Sequence, residues 1–148
     1  MALLELRGLN TADLTYGHLL GVSVLRVRPV AGKQSPPDSR LLRTLLREMT
    51  YTIWCIRCEW AIGRSGDMTR LVSEREAVAR LLWRLNTCLR ADVARTHRLS
   101  GRHAVPLPMI LGTWRGLLVA PRPLPEDWRL VKEVLVGTPE QLTRHGVG

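Results

Sequence analysis

The sequence predicts a mainly α-helical fold: an antiparallel pair of long helices, with one or two shorter elements packed across them as a small helical bundle. Apolar residues recur at helical spacing in residues 39–62 and again in 74–98, and each stripe predicts a long helix. The loop between the stripes is short, which favours antiparallel neighbours. The chain has 148 residues, of which 45% are hydrophobic, enough for one domain with a core.

Residues 1–38 are interpreted as a poorly defined N-terminal segment that ends in a proline-rich linker. Val22 and Val24 alternate as in a strand, but the sequence offers this short element no evident partner. The stretch PVAGKQSPPD, residues 29–38, contains three prolines and predicts a loop.

The first long helix is expected to begin after an N-cap at Asp38 or Ser39 and to end near Ile62, before Gly63. Its main apolar stripe consists of Leu42, Leu46, Met49, Ile53, Ile56 and Trp60. A second stripe on the opposite side consists of Tyr51, Trp54, Cys55, Cys58 and Ile62. A helix that is apolar on both sides is expected to be buried on both, which places Trp54, Cys55, Cys58 and Trp60 in the structural core.

The second long helix is predicted over residues 74 to about 98. Ser73 and Glu76 have the spacing of a capping box, in which the serine side chain accepts a hydrogen bond from the Glu76 amide. One face of this helix carries Val78, Leu81, Leu82, Leu85, Cys88, Leu89 and Val93.

Shorter elements follow Gly101. Pro106 or Pro108 suits the first turn of a third helix, whose length is limited by Gly112 or Gly116. Residues 130–136 predict a final short apolar element, either helix or strand, and residues 139–148 a polar tail. The helical domain is therefore assigned to residues 39–138.

Cys55 and Cys58 have the C-x-x-C spacing of metal and redox sites. A structural zinc site needs two further ligands, and neither Cys88 nor the four histidines lie at a suitable spacing. Redox pairs lie at helix N-termini, whereas this pair falls inside a predicted helix. Burial in the core is the favoured interpretation, a zinc or thiol site is the less favoured one, and no cofactor or metal is expected.

The net charge of +9 would attract the chain to polyanions such as nucleic acid. Arg outnumbers Lys 20 to 2 and Phe is absent, which a GC-rich gene would also produce. The second helix and the loop after it place five arginines in a row suited to phosphate: Arg80, Arg84, Arg95, Arg98 and Arg102. The alternative is an ordinary solvated helix face. Trp83 lies opposite the apolar stripe of the same helix, and an exposed Trp beside Arg can stack on a base.

Motifs for catalysis and for membrane insertion are missing from the sequence. It contains no Gly-rich phosphate loop, no G-x-S-x-G elbow and no His-Glu metal helix, so the chain is not expected to be an enzyme. No apolar stretch is long enough to span a membrane, and the first residues do not form a secretory signal. The expected location is intracellular, in the nucleus or cytoplasm.

Several segments occur in an order that resembles the C-terminal helical region of fungal retrotransposon-related proteins, downstream of reverse transcriptase or ribonuclease H. The segments are TYTIWCIRCEWAI, SEREAVARLLWRLN, ARTHRLSGRHA, LGTWRGLL, LPEDW and VLVG, within residues 39–138. The family's IW-x-x-RC-E core is matched by Ile53, Trp54, Arg57, Cys58 and Glu59. Pro106 and Pro108 depart from the family pattern, which has helix formers there.

This resemblance implies a role in the polymerase machinery of a mobile element, with nucleic acid as the partner. The chain lacks the catalytic carboxylates of that machinery, so the resemblance implies a terminal fragment or a remnant. The leading hypothesis is a non-catalytic, retroelement-derived module that contacts nucleic-acid phosphates through its basic face. The alternative is a structural or protein-interaction module, in which the helix around Trp54 and Trp60 packs on a polymerase domain outside this chain.

Overall fold

The protein has a small, mainly α-helical fold, as the sequence predicts. The computed structural model describes residues 15, 17, 21–24, 26, 35–97, 101–102, 104–131 and 133–137. Within these residues the α-helices are α1 (Pro36–Cys58), α2 (Glu74–Arg95) and α3 (Leu107–Trp114). Strands β1 (Leu118–Val119) and β2 (Leu135–Val136) pair antiparallel, with Leu118 opposite Val136.

Helix α1 begins earlier than predicted, because its N-cap is Ser35. The Ser35 hydroxyl accepts a hydrogen bond from the Asp38 amide, and Pro36 and Pro37 form the first turn. Proline suits this position because the first amides of a helix have no partner within the helix. Residues 36–38, assigned to the linker from the sequence, therefore belong to the helix.

The C-terminal end of α1 continues into a π-helical turn, Glu59–Gly63. The Glu59 carboxylate pairs with Arg64 from the following loop and with Arg80 from α2. The Trp60 indole donates to the Asp67 carbonyl at 3.1 Å, and the Trp60 carbonyl accepts from the Gly66 amide at 3.0 Å. These bonds fold the loop back against the end of the helix.

Helices α1 and α2 are antiparallel neighbours, as predicted. Arg40 near the start of α1 pairs with Asp92 near the end of α2, whereas Glu59 after α1 pairs with Arg80 near the start of α2. Ser73 caps α2 by accepting from the Glu76 amide at 3.2 Å, which is one of the two bonds of the predicted capping box, while the Glu76 carboxylate pairs with Arg80.

Helix α3 crosses α1 near its start. A Cβ atom at Gly112 would lie 3.0 Å from the Pro37 Cγ, closer than an ordinary van der Waals contact, so a larger residue here would push α3 and the start of α1 slightly apart. The helix ends at Trp114, before Gly116 turns the chain with φ +86°. The final apolar element is a strand, β2, which is anchored to α2 because Asn86 Oδ1 accepts from the Val136 amide at 2.8 Å.

The core lies at one end of the helix pair. It joins the first half of α1 and the second half of α2 to α3 and to the antiparallel pair of strands β1 and β2, called the hairpin below. The buried apolar residues are Leu41, Leu42, Leu45, Leu46, Leu85, Leu89, Ile110, Trp114, Leu117, Trp128 and Val136. The predicted burial of α1 on both sides is wrong for its second half, where Ile53 and Trp54 are exposed by 60% and 57%. The third helix and the hairpin cover the opposite end, so that within the described part of the chain neither of them reaches the end around Trp54.

The predicted strand at Val22 and Val24 is also wrong. Val22–Val24 form a 3₁₀ turn, in which the Val24 amide donates to the Gly21 carbonyl at 3.1 Å. No described helix has the length and hydropathy to cross a membrane.

Candidate anion-binding groove

A groove of about 460 Å³ runs between α1 and α2 at the core end of the pair. Arginine side chains dominate its lining, three from α1 and one from α2: Arg40, Arg43, Arg47 and Arg95. Asp92 is the only carboxylate among the described lining residues, and Ser23, Thr44 and Thr87 add hydroxyl groups. The groove is therefore a basic concave surface.

The spacing of the α1 arginines places them on one side of the helix. Arg40, Arg43 and Arg47 are separated by three and four residues, so their side chains project from the same face. Arg95 lies in the last turn of α2, where a cation interacts favourably with the helix dipole. The antiparallel arrangement brings that turn beside the start of α1.

Arg40 lines the groove and is held in place by an ion pair. Its guanidinium group makes two parallel hydrogen bonds to Asp92, at 2.6 and 2.7 Å. Asp92 is buried and also accepts from the Trp114 indole at 2.8 Å. The charge of Arg40 is balanced by this carboxylate, which leaves the arginine with a structural role.

Arg43 and Arg95 supply charge that no short ion pair with a described residue balances, whereas Arg47 shares the Glu48 carboxylate with Arg84. Arg43 has no acidic partner among the described residues, and Arg95 approaches Asp92 only to 3.9 Å. Arg47 contacts Glu48 at 2.9 Å, but its side chain is 64% exposed. These three guanidinium groups can turn toward an anion in the groove.

Glu48 is a buried carboxylate at the rim of the groove. It accepts from Arg84 Nε at 2.9 Å and from Arg47 Nε at 3.0 Å, while the Arg84 guanidinium lies 4.1 Å from the centre of the Tyr51 ring. Burial opposes ionisation of Glu48, but the hydrogen bonds from Arg84 and Arg47 outweigh it and lower the pKa of this carboxyl. Burial raises the pKa of the Cys88 thiol in the groove, and Glu48 adds to the effect.

A Glu48→Gln variant is expected to lose part of the acid sensitivity of folding. A carboxyl whose pKa is lowered on folding stabilises the protein above its unfolded pKa, about 4.3. That contribution is lost as the pH falls through the folded value. Urea unfolding between roughly pH 7 and pH 2 should therefore show a smaller loss of unfolding free energy for Glu48→Gln than for the wild type. The exposed Glu126→Gln variant serves as the control, and an equal pH slope for both variants would contradict the role of Glu48.

The structure divides the five arginines predicted to form one basic row. Arg95 lines the groove, but Arg80 pairs with Glu59 and Glu76. Arg84 pairs with Glu48, so Arg80 and Arg84 both have acidic partners, and their contact with phosphates stays a prediction. Arg98 lies outside the described residues, and Arg102 is exposed in the segment after α2, where it does not line the groove.

Sequence reasoning missed Arg40, Arg43 and Arg47. Their spacing in SRLLRTLLRE, residues 39–48, was a usable signal, because it repeats at the same helical period as the apolar stripe beside it. The pairing of α1 with α2 was needed to show that this row faces Arg95.

The residues predicted as core around TIWCIRCEW also need correction. Trp54 is exposed, while Cys55, Cys58 and Trp60 are half-buried and lie outside the hydrophobic core. Neither cysteine forms a disulfide, and nowhere in the described ranges do three His, Cys, Asp or Glu side chains gather as a metal site would require. Burial is incomplete here because, among the described residues, this end of α1 is contacted only by α2 and by the loop that follows α1.

Comparison of the chain with protein-family models, with curated proteins and with solved structures found no match.

Proposed function

We propose that the groove between α1 and α2 binds the phosphate groups of nucleic acid without reading its sequence. The observation that carries the proposal is the charge of the lining: Arg43, Arg47 and Arg95 project around a concavity whose only described carboxylate is held by Arg40. Guanidinium groups match phosphate oxygens geometrically, because they can donate two parallel hydrogen bonds.

The charge of the whole chain supports the same proposal. A net charge of +9 attracts polyanions over distances longer than a direct contact, and low salt strengthens this attraction. Binding then releases counterions from the nucleic acid. The logarithm of the affinity falls linearly with the logarithm of the salt concentration, and the slope is proportional to the number of phosphates neutralised. Contacts of this kind fix position and carry no base preference.

The proposed role is non-catalytic. The two buried carboxylates nearest the groove are committed to ion pairs, Asp92 with Arg40 and Glu48 with Arg84 and Arg47. The proposal therefore assigns the groove binding alone. Nucleic acid as the partner would place the protein in the nucleus or cytoplasm.

Replacement of Arg43 and Arg95 by glutamine tests the proposal. We expect the double variant to bind 20-nucleotide DNA and RNA of mixed sequence about tenfold more weakly than the wild type, for all sequences alike. The slope of log affinity against log salt should also fall by about two, because two phosphate contacts are lost. Fluorescence anisotropy with labelled oligonucleotides at about 50 and 200 mM salt measures both quantities.

The matched control is Arg75→Gln with Arg122→Gln, which removes the same charge at exposed positions that do not line the groove. It should change the affinity less than twofold, roughly. Binding that is insensitive to salt, or an equal loss in both double variants, would contradict a phosphate site in the groove.

Exposed apolar side chains favour a second candidate function, a protein-interaction module. Ile53, Ile62, Met68 and Val78 are exposed at the open end of the helix pair. The resemblance to retrotransposon-related proteins would make the partner a polymerase domain. The origin from a retroelement stays a prediction, and a reverse transcriptase reading frame upstream in the gene would support it. If the protein binds no oligonucleotide at low salt but self-associates or is partly unfolded on its own, the protein-interaction module replaces the phosphate-binding proposal.

A further inference from the structure

The basic face of α1 continues into exposed aromatic side chains. Tyr51 follows Arg47 by four residues and Trp54 follows Tyr51 by three, so both lie on the side that carries the groove arginines. The Tyr51 and Trp54 ring centres are 5.7 Å apart, with the planes inclined by 40°. From Arg40 to Trp54 this face extends about 21 Å, at the helical rise per residue.

Helix α2 contributes a third exposed aromatic ring to the same side of the pair. Trp83 lines a second, smaller cavity of about 230 Å³, together with Cys55 of α1 and Arg80 and Arg84 of α2. Arg84 connects the two helices here, because its guanidinium group lies over the Tyr51 ring. The arginine-lined groove and this aromatic region are therefore successive parts of one inter-helix surface.

Exposure of both tryptophans leaves their rings available to a ligand. Trp54 is 57% and Trp83 is 67% exposed, although tryptophan normally buries most of its surface. A flat aromatic side chain beside guanidinium groups suits a ligand with alternating planar apolar groups and negative charges. Unpaired nucleotides have this chemistry.

We infer that this surface binds single-stranded nucleic acid, with phosphates on Arg43, Arg47 and Arg95 and unpaired bases stacked on Trp54 and Trp83. This inference rests on the proposed function, which assigns the phosphates to the groove. Bases in a duplex are stacked on one another and do not present their faces to a protein, so the rings select an unpaired strand. An apolar protein surface that covered both parts is a poorer occupant, because it would bury Arg43 and Arg95 of the groove without a counter-charge.

Replacement of Trp54 and Trp83 by leucine tests the inference with three probes of equal length. The probes are a 20-nucleotide oligothymidylate, an abasic oligonucleotide and a mixed-sequence duplex. The wild type should bind oligothymidylate at least about tenfold more tightly than the abasic strand, and binding should quench tryptophan fluorescence. The double variant should lose this preference and keep its affinity for the abasic strand within about twofold, because the arginines are intact.

Leu130→Ala is the control for loss of an exposed apolar side chain, since Leu130 is 78% exposed and lines neither cavity. Equal wild-type affinity for the abasic strand and oligothymidylate, or an unchanged preference in the Trp54→Leu/Trp83→Leu variant, would overturn the stacking inference and leave the phosphate groove intact. Failure of the proposed function differs, because all three probes would then go unbound. Tighter binding to the duplex than to the single strand would also overturn the inference.

Discussion

Replacement of Asp92 by alanine is expected to lower the free energy of unfolding by about 3 kcal/mol or more. Asp92 is only 4% exposed, and it receives two hydrogen bonds from Arg40 and one from the Trp114 indole. The variant would leave the Arg40 guanidinium, itself largely buried, without its counter-charge. Removing one member of a buried ion pair costs more than the pair contributes, because the remaining charge stays desolvated.

Urea denaturation of four proteins separates this effect from a simple loss of charge. The Glu126→Ala control removes an exposed carboxylate and should stay within about 0.5 kcal/mol of the wild type. The Arg40→Ala/Asp92→Ala double variant should be more stable than Asp92→Ala, since it no longer buries an unpaired guanidinium group. A double variant less stable than Asp92→Ala would show that Arg40 contributes through packing and not through its charge.

The sequence was sufficient to predict the helices because their apolar residues repeat at helical spacing. The stripe from Leu81 to Val93 marks the packed side of α2, where Leu85 and Leu89 are buried. The Ser73 capping box marks its start. Local signals of this kind depend only on neighbours along the chain, so they can be recognised without knowledge of the fold.

Burial of the second half of α1 could not be predicted in the same way. An apolar stripe shows which side of a helix would pack, but it does not show whether another element reaches that side. Ile53 belongs to the same stripe as Leu42 and Leu46, and Trp54 to the stripe on the opposite side, yet only Leu42 and Leu46 are covered. Long-range topology decides the difference, because α3 and the hairpin both dock at the opposite end of the pair.

The candidate site was only partly predictable for a related reason. Arg95 was identified from its helix, whereas the neutralisation of Arg80 by Glu59 and of Arg84 by Glu48 depends on contacts between helices. A count of the arginines on α2 alone therefore overestimates the positive charge that is available to a ligand. Arginines for which the described residues form no short ion pair lie in the groove, where α1 contributes Arg43 and α2 contributes Arg95.

Trp114 is expected to be the most sensitive hydrophobic position of the fold, and Trp114→Ala should cost about 3–5 kcal/mol. Its side chain is completely buried, and it lies at the junction of α3 with the two long helices. Against a typical domain stability of about 5–15 kcal/mol, this loss would leave a large unfolded fraction or abolish folding.

Trp114→Phe divides the contribution of the ring from that of its hydrogen bond. Phenylalanine keeps much of the apolar surface but removes the indole donor to Asp92, so the expected cost is smaller, about 1–2 kcal/mol. Asp92 would retain both bonds from Arg40 and stay paired. Trp83→Ala, at an exposed position, should change the stability by less than about 0.5 kcal/mol. Equal losses for Trp114→Ala and Trp83→Ala in urea denaturation would mean that α3 does not complete the core. The expected result is a larger loss for Trp114→Ala than for Trp114→Phe, because alanine also removes the buried apolar surface.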